Sequence, residues 1–405
     1  MPSRDRPANP FQPAPGATPP LLVGRCAERA SIRDACDRVA RGSAPTPIAF
    51  VGLRGLGKTV LLNVVREHTR EGVHLHLEVE PGVSLVSSVR SALDTLLASV
   101  APTVKRVASA IERALRYLPM PAFELPGGAG AVTLATPTGQ TEPEHRQPLS
   151  QAIQALNDAV GSAHKYLVIT VDEVQDIDIV GFRSLVACVH RSAGSSRPIL
   201  LACAGLPEAH ETFRKLRTYA RRWDRFDLGF LSRAETIEAI RTPIRETGAS
   251  IEDAAVDVLA DESAGYPFFV QKYASAVWNH HHGSQILLSD VQAIVPEVRA
   301  LVEKLFYADD LDRLSPRERM FCKALADLGE GPHALGEIAA AFGVPSSAVS
   351  SIRSNLIKKG IVFVPSSGML EFRMPLADRY VREHASLFVS PLTKPRKGGL
   401  TLSVQ

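Results

Sequence analysis

Residues 50–62 read FVGLRGLGKTVLL, and this stretch decides the fold. An apolar run ends at Gly52, a glycine-rich turn follows, and Lys58 and Thr59 open a second apolar run at helical spacing. The pattern fits G-x-x-x-x-G-K-[ST], with Gly52, Gly57, Lys58 and Thr59 in the defining positions. Glycines let backbone N–H groups approach phosphate oxygens and reach positive φ, while a helix N-terminus adds partial positive charge. The spacing therefore predicts a phosphate-binding loop with Gly52, Gly55, Leu56, Gly57 and Val60 surrounding the nucleotide. Lys58 would neutralise the β- and γ-phosphates of ATP, and the Thr59 hydroxyl would ligate Mg²⁺.

Outward from the loop, strand and helix alternate. VHLHLEV (Val73 to Val79) has the period of a strand, and SLVSSVRSALDTLLASV carries apolar residues at helical spacing. YLVITV and PILLACAG are continuous apolar runs of the kind buried on both faces of a parallel sheet. The expected fold class is thus α/β, a parallel sheet covered by helices. YLVITV delivers Asp172 and Glu173 to its C-terminal end, where ligands gather in open α/β sheets. Asp172 is the expected Mg²⁺ partner through water, and Glu173 the residue expected to polarise the attacking water.

These motifs, with LLVGR upstream, a helical segment after residue 231 and a C-terminal helix-turn-helix pattern, resemble an AAA+ ATPase. Within that class the chain is similar to the branch of archaeal-type ATPases, origin-recognition initiators and STAND signalling ATPases. NPFQPAPGATPPLLVGR, AGLPEAH, TYARRW and GYPFFVQKYASAVW also resemble a bacterial, largely actinobacterial, subgroup of undefined role. The resemblance implies that Val23, Gly24 and Arg25 line the adenine pocket. It implies an arginine finger at Arg222, acting in trans from a neighbouring subunit or sensing nucleotide in cis. Two departures stand out: Cys203 is where a polar sensor is usual, and Gly265, Tyr266 and Pro267 stand where a lid arginine is often found. Slow hydrolysis is the expectation that follows.

The C-terminal part reads as a winged helix. Ser315 and Pro316 open one helix, LGEIAAAFGV is a second closed by Gly343, and PSSAVSSIRSNLIKKG a third ending at Gly360. IVFV and LEFR then read as a two-stranded wing. On the third helix Ser346, Ser347, Ser350, Arg353, Ser354 and Lys358 are expected to face outward, and with Lys359 to contact double-stranded DNA. From Asp312 onward thirteen Lys/Arg face eight Asp/Glu, a mild excess that suits a polyanion. Packing against protein is the alternative use of such a module.

The whole chain, 405 residues with 46 Lys+Arg against 43 Asp+Glu, is too balanced to argue for nucleic acid or membrane from its total charge. Five widely spaced cysteines exclude a disulfide framework or C-x-x-C zinc site and fit a reducing, cytoplasmic setting. No apolar run approaches the roughly 18 residues that span a bilayer. Three adjacent histidines, His280 to His282, read as a solvated helix terminus rather than a metal site. The expected organisation is a Pro-rich disordered arm over 1–20 and an ATPase domain over 21–231, with a hairpin or flexible insertion at about 118–148. A helical lid over 232–304, the winged helix over 311–383 and a polar tail over 384–405 follow. The expected function is a slowly hydrolysing ATP switch that binds DNA and assembles with itself or a partner. The alternatives are a STAND-like signalling or defence ATPase that engages protein instead, and a scaffold that binds nucleotide only to stabilise its fold.

Overall fold

The structure is a computed structural model and describes residues 8–99, 105–119, 146–163, 165–216, 219–308, 310 and 313–388. Its centre is a sheet of five parallel strands in the order β2-β3-β4-β1-β5. These are β1 (Ile48–Val51), β2 (Val73–Glu78), β3 (Leu167–Asp172), β4 (Ile199–Gly205) and β5 (Asp224–Asp227). β1, β3 and β4 are buried at every residue, as their uninterrupted apolar sequences require when helices cover both faces. The edge strand β2 buries only Val73, Leu75 and Leu77, and so alternates. The other edge, β5, has the sequence DRFD and no buried residue, so no apolar period announces it in the sequence.

Helices α1 (Cys26–Ala40), α2 (Lys58–His68), α3 (Leu85–Ser99), α4 (Lys105–Leu115), α5 (Arg146–Ser162), α6 (Ile179–Ser192) and α7 (Ala209–Lys215) accompany the sheet. Asp178 caps α6 by accepting from the N–H groups of Val180 and Gly181. The core cluster under β1 to β4 joins Val89 and Leu93 of α3, Ile111 of α4, Ile153 and Leu156 of α5, and Phe182 and Leu185 of α6. The insertion expected at about 118–148 lies outside the described residues except at its ends, where residues 146–148 already belong to α5, and most of the expected tail lies outside them too.

Contacts divide the chain into two units, Met1–Val295 and Pro296–Gln405. The segment expected as a separate lid is mostly within the first unit. It comprises α8 (Arg233–Glu246), α9 (Asp253–Ser263) and α10 (Pro267–His280), with the two-residue pairing of β6 (Ser250–Ile251) and β7 (Gln285–Ile286). Ser232 and Glu235 form a reciprocal capping box that starts α8 where the sheet ends. Of the three histidines, His281 is buried at 2% exposure against Trp278, which corrects the solvated reading for that residue.

The disordered arm expected over residues 1–20 also needs correction for its described part. Asn9 Nδ2 donates to the Ser275 carbonyl and hydroxyl and to Asn279 Oδ1, and Phe11 is 3% exposed. The Gln12 N–H donates to Gln271 Oε1, and Asn63 Nδ2 donates to the Gly16 carbonyl. Proline prevents this segment from forming helix or sheet, but one phenylalanine and a few side-chain hydrogen bonds hold it as an extended strap from α10 to α2.

In the second unit, α11 (Leu288–Glu303) carries the chain across the boundary. Then come α12 (Pro316–Asp327), α13 (Leu335–Phe342), a single 3-10 turn over Ser346–Val349, and α14 (Ser350–Lys358). The sheet of this unit has three strands, β8 (His333–Ala334) just before α13, and β9 (Val362–Phe363) and β10 (Met369–Phe372) after α14, in the antiparallel order β8-β10-β9. The sequence pattern predicts only the last two, because β8 is a two-residue pairing with no period of its own. α15 (Ala377–Glu383) and α16 (Ala385–Phe388) close the unit. Lys359, expected to face DNA, donates to buried Glu318 at 2.7 Å and to the Arg313 carbonyl. Burial opposes ionisation of Glu318, but hydrogen bonds from Lys359 and from the Ser315 backbone and hydroxyl hold its carboxyl below the usual value. Lys359 thus ties the start of α12 to the end of α14.

Candidate nucleotide site

β1 ends in the interior of the sheet, and the chain turns at once into α2. The turn depends on Gly55 and Gly57, whose φ angles are +73° and +88°, a region that other residues enter at a cost of about 1–2 kcal/mol. Gly57 is also the N-cap of α2, so Lys58 and Thr59 start the helix and its free N–H groups face the turn.

Four of the sequence-predicted residues meet here. Thr59 Oγ1 donates to Asp172 Oδ2 at 2.7 Å, and Asp172 Oδ1 accepts the Glu173 N–H at 2.9 Å. Lys58 is 7% exposed, and its Nζ donates to the Leu53 carbonyl at 2.9 Å. Burial pushes the Lys58 ammonium pKa down; the charges of Glu173 and Asp172 oppose this and Arg54 adds to it. A buried cation beside two carboxylates and a free helix N-terminus is suited to an anionic ligand. Glu173 itself has φ +54°, an unusual angle for a residue with a side chain. Gly52 is packed so closely that an added Cβ would lie 3.0 Å from the Leu228 carbonyl oxygen, while Leu56 and Val60 are buried.

The segment Val23 to Arg25 has a different local role for each residue. Gly24 has φ +66°, and a Cβ there would meet the Leu231 and Glu235 side chains at 2.8 and 2.9 Å. Arg25 is buried at 7%, and its guanidinium donates to the carbonyls of Gly24, Leu56 and Gly229. Its charge is therefore spent on backbone carbonyls, pinning the loop to the chain that follows β5. Val23 is half-buried.

Tyr266, at a position where the resemblance places a lid arginine, is fully buried and donates its hydroxyl to the Arg54 carbonyl at the tip of the loop. Desolvation pushes its phenol pKa up. A Cβ on Gly55 would lie 2.0 Å from that hydroxyl oxygen. Gly55→Ala is accordingly expected to destabilise the chain by about 1–2 kcal/mol from backbone strain alone, plus the displacement of the ring. Thermal unfolding of the purified variant checks this, and an unchanged Tm would mean that Gly55 neither holds a positive φ nor meets the Tyr266 ring.

Cys203 belongs to the apolar core cluster, and full burial pushes its thiol pKa up. It is a core residue and offers nothing to a phosphate. Arg222 is exposed in a 3-10 turn just before β5. Since Ile48 pairs with Asp224 and Val51 with Asp227, Arg222 stands at the end of the sheet opposite the loop. The four residues of strand and the turn residue before them separate the two levels by roughly 16 Å, which exceeds the reach of an arginine and argues against sensing in cis. In the second unit Ser346, Ser347, Ser350, Ser354 and Lys358 are exposed and Arg353 is half-buried. Ser351 and Asn355, not singled out in the sequence, are exposed as well.

A residue missed in the sequence is Gln175, which bonds Glu173 and the end of β4. Its position two residues beyond Glu173 gives no sign that the side chain folds back.

Comparison with known proteins follows the same division. Residues 21–202 match the family model described as AAA ATPase domain, and residues 304–381 match a domain of unknown function (DUF8462). No curated protein matches the chain. Among solved structures, the Walker-type ATPase of Pyrococcus abyssi is similar at 14% identity and a TM-score of 0.54, covering 89% of this chain and 96% of that one. Weaker likenesses are Aeropyrum pernix Orc1 in complex with DNA (15% identity, TM-score 0.46, 91% and 94% covered) and the Thermotoga maritima RuvB Holliday junction branch migration motor (15%, 0.43, 89% and 95%). The matched segment, the five-stranded parallel sheet and the glycine loop at the end of β1 agree: the fold is that of an AAA+ P-loop ATPase, and residues 21–202 are similar to the AAA ATPase domain.

Proposed function

We propose that the chain is an ATP-dependent molecular switch that hydrolyses ATP slowly, binds double-stranded DNA through residues 311–383, and assembles with itself or a partner. The observation that carries the reading is the convergence of Lys58, Thr59, Asp172 and Glu173 at the C-terminal ends of β1 and β3. Lys58 exchanges its bond to the Leu53 carbonyl for phosphate oxygens, and Glu173 takes a proton from the attacking water. Magnesium fits the donors present, a hydroxyl and a carboxylate, both hard oxygens. Thr59 and Asp172 would hold it, and it would neutralise phosphate charge. Slow turnover is inferred because neither Cys203 nor Tyr266 supplies a charged or readily polarised contact to a γ-phosphate. Arg222 is assigned to a neighbouring subunit's nucleotide, as an arginine finger in trans.

Residues 232–304 are read as the lid and 311–383 as the winged helix, whose order of three helices and an antiparallel sheet supports this. The exposed serines and Lys358 on α14 support the DNA reading. The runner-up, a signalling ATPase whose second unit engages protein, is favoured by one observation: Lys359 is committed to Glu318, which leaves Lys358 and Arg353 as the cations of that face.

ATP turnover with and without duplex DNA at two salt concentrations tests the reading. Stimulation by DNA that weakens with salt is expected, because phosphate contacts release counterions. Lys358→Ala should weaken duplex binding across sequences and lower the slope of log K against log salt by about one. Turnover indifferent to DNA would favour the protein-binding alternative.

A further inference from the structure

Gln175 lies in the single 3-10 turn that follows Glu173, residues Val174–Asp176. Its Nε2 donates to Glu173 Oε2 at 2.8 Å and to Asp176 Oδ2 at 2.8 Å, and its Oε1 accepts the Leu206 N–H at 2.9 Å. A carboxamide has two N–H donors and an acceptor oxygen, so both donors are engaged and the oxygen is paired. The orientation is unambiguous, because a flipped amide would set its oxygen against two carboxylates and its N–H groups against an N–H. The backbone is shaped for this contact. At Gly205, the last residue of β4, a Cβ would lie 3.0 Å from Gln175 Oε1 and 2.7 Å from a Val174 methyl. Glycine there is what lets the turn close onto the strand end.

β4 brings no polar side chain of its own to this point, since Cys203 is in the core. The connection between the end of β4 and the carboxylate that faces Lys58 is therefore made by Gln175. We propose that Gln175 is a positioning residue for hydrolysis: its carboxamide fixes the Glu173 carboxylate by Oε2, leaving Oε1 to receive the proton of the attacking water. This rests on the reading of Glu173 as the general base. The proton balance is simple. Water loses a proton to Glu173 as its oxygen bonds the γ-phosphorus, the β–γ bridging bond breaks, and ADP leaves with that electron pair. Gln175 exchanges no proton.

The test compares the parent chain with Gln175→Glu and Gln175→Leu, measuring kcat, KM and ATP affinity, and the Tm with and without ATP, with Glu173→Gln as reference. Gln175→Glu keeps the acceptor for the Leu206 N–H but removes the donor to Glu173, so it separates positioning from anchoring. The expected result is a fall in kcat of about 100-fold in both variants, the scale of a misplaced reacting group, with ATP affinity within about twofold of the parent. Parent-like kcat in Gln175→Glu would overturn the assignment while leaving Glu173 as the base, provided Glu173→Gln is inactive. Loss of folding in both variants, seen as a large fall in the ligand-free Tm or the absence of a cooperative transition, would make Gln175 a structural residue and also overturn it. No turnover by the parent chain would overturn both this assignment and the hydrolytic reading on which it rests.

Discussion

Glu173→Gln is expected to bind ATP as tightly as the parent chain and to turn it over between about 10²- and 10⁴-fold more slowly, the range that a positioned general base contributes. The substitution is nearly isosteric. The new amide oxygen can still accept from Gln175 Nε2, and the Asp172 carboxylate still accepts the backbone N–H of residue 173, so the turn need not move. What is lost is the ability to take a proton from water. A steady-state assay beside an equilibrium measurement of ATP affinity separates the two effects. Retained turnover would show that the base is another group and would remove the main support for the proposed chemistry.

Lys58→Ala is expected to abolish the rise in Tm that ATP confers while leaving the ligand-free Tm unchanged or higher. The sign follows from burial. Lys58 is 7% exposed, and desolvation already pushes its pKa down, so without a ligand the ammonium is held against a solvation cost. Its removal forfeits the bond to the Leu53 carbonyl and the attraction of Glu173 and Asp172, but relieves the desolvation that is the largest influence on the lysine. With ATP the balance reverses, because charge-assisted hydrogen bonds to phosphate are worth about 1.5–3 kcal/mol each. Two such contacts put the loss of affinity at about 10²-fold or more. A parent chain held at 100 times its Kd gains about 2.7 kcal/mol by linkage, and the variant at the same concentration should gain almost none. A normal ATP-induced shift in Lys58→Ala would mean that nucleotide binds elsewhere. A large fall in the ligand-free Tm would mean that the lysine is part of the framework.

Some of this molecule is legible because it is local. A glycine turn between an apolar strand and an apolar helix needs only neighbouring residues, since positive φ, helix start and strand burial are all properties of short sequence. The α/β class and the four apolar strands follow from such patterns, and the parallel sheet bears them out. So does the delivery of Asp172 and Glu173 to a strand end, given that β3 must be fully buried. The fifth strand was illegible because DRFD on an exposed edge pairs through its backbone with β1 and needs no apolar face.

What the sequence by itself determined is therefore the nucleotide loop, its acidic partners and the class of sheet that holds them. Only the tertiary structure decided how side chains distant in sequence are used. Tyr266 reaches the loop tip across more than two hundred residues, Asn9 binds α10, and Lys359, though exposed, pairs with Glu318. Gln175 is close to Glu173 in sequence, yet its role depends on Leu206, which β4 brings alongside. The physical reason is common to all four. A polar side chain goes where buried partners satisfy it, and those partners belong to elements whose adjacency is set by burying apolar faces, which no local pattern records.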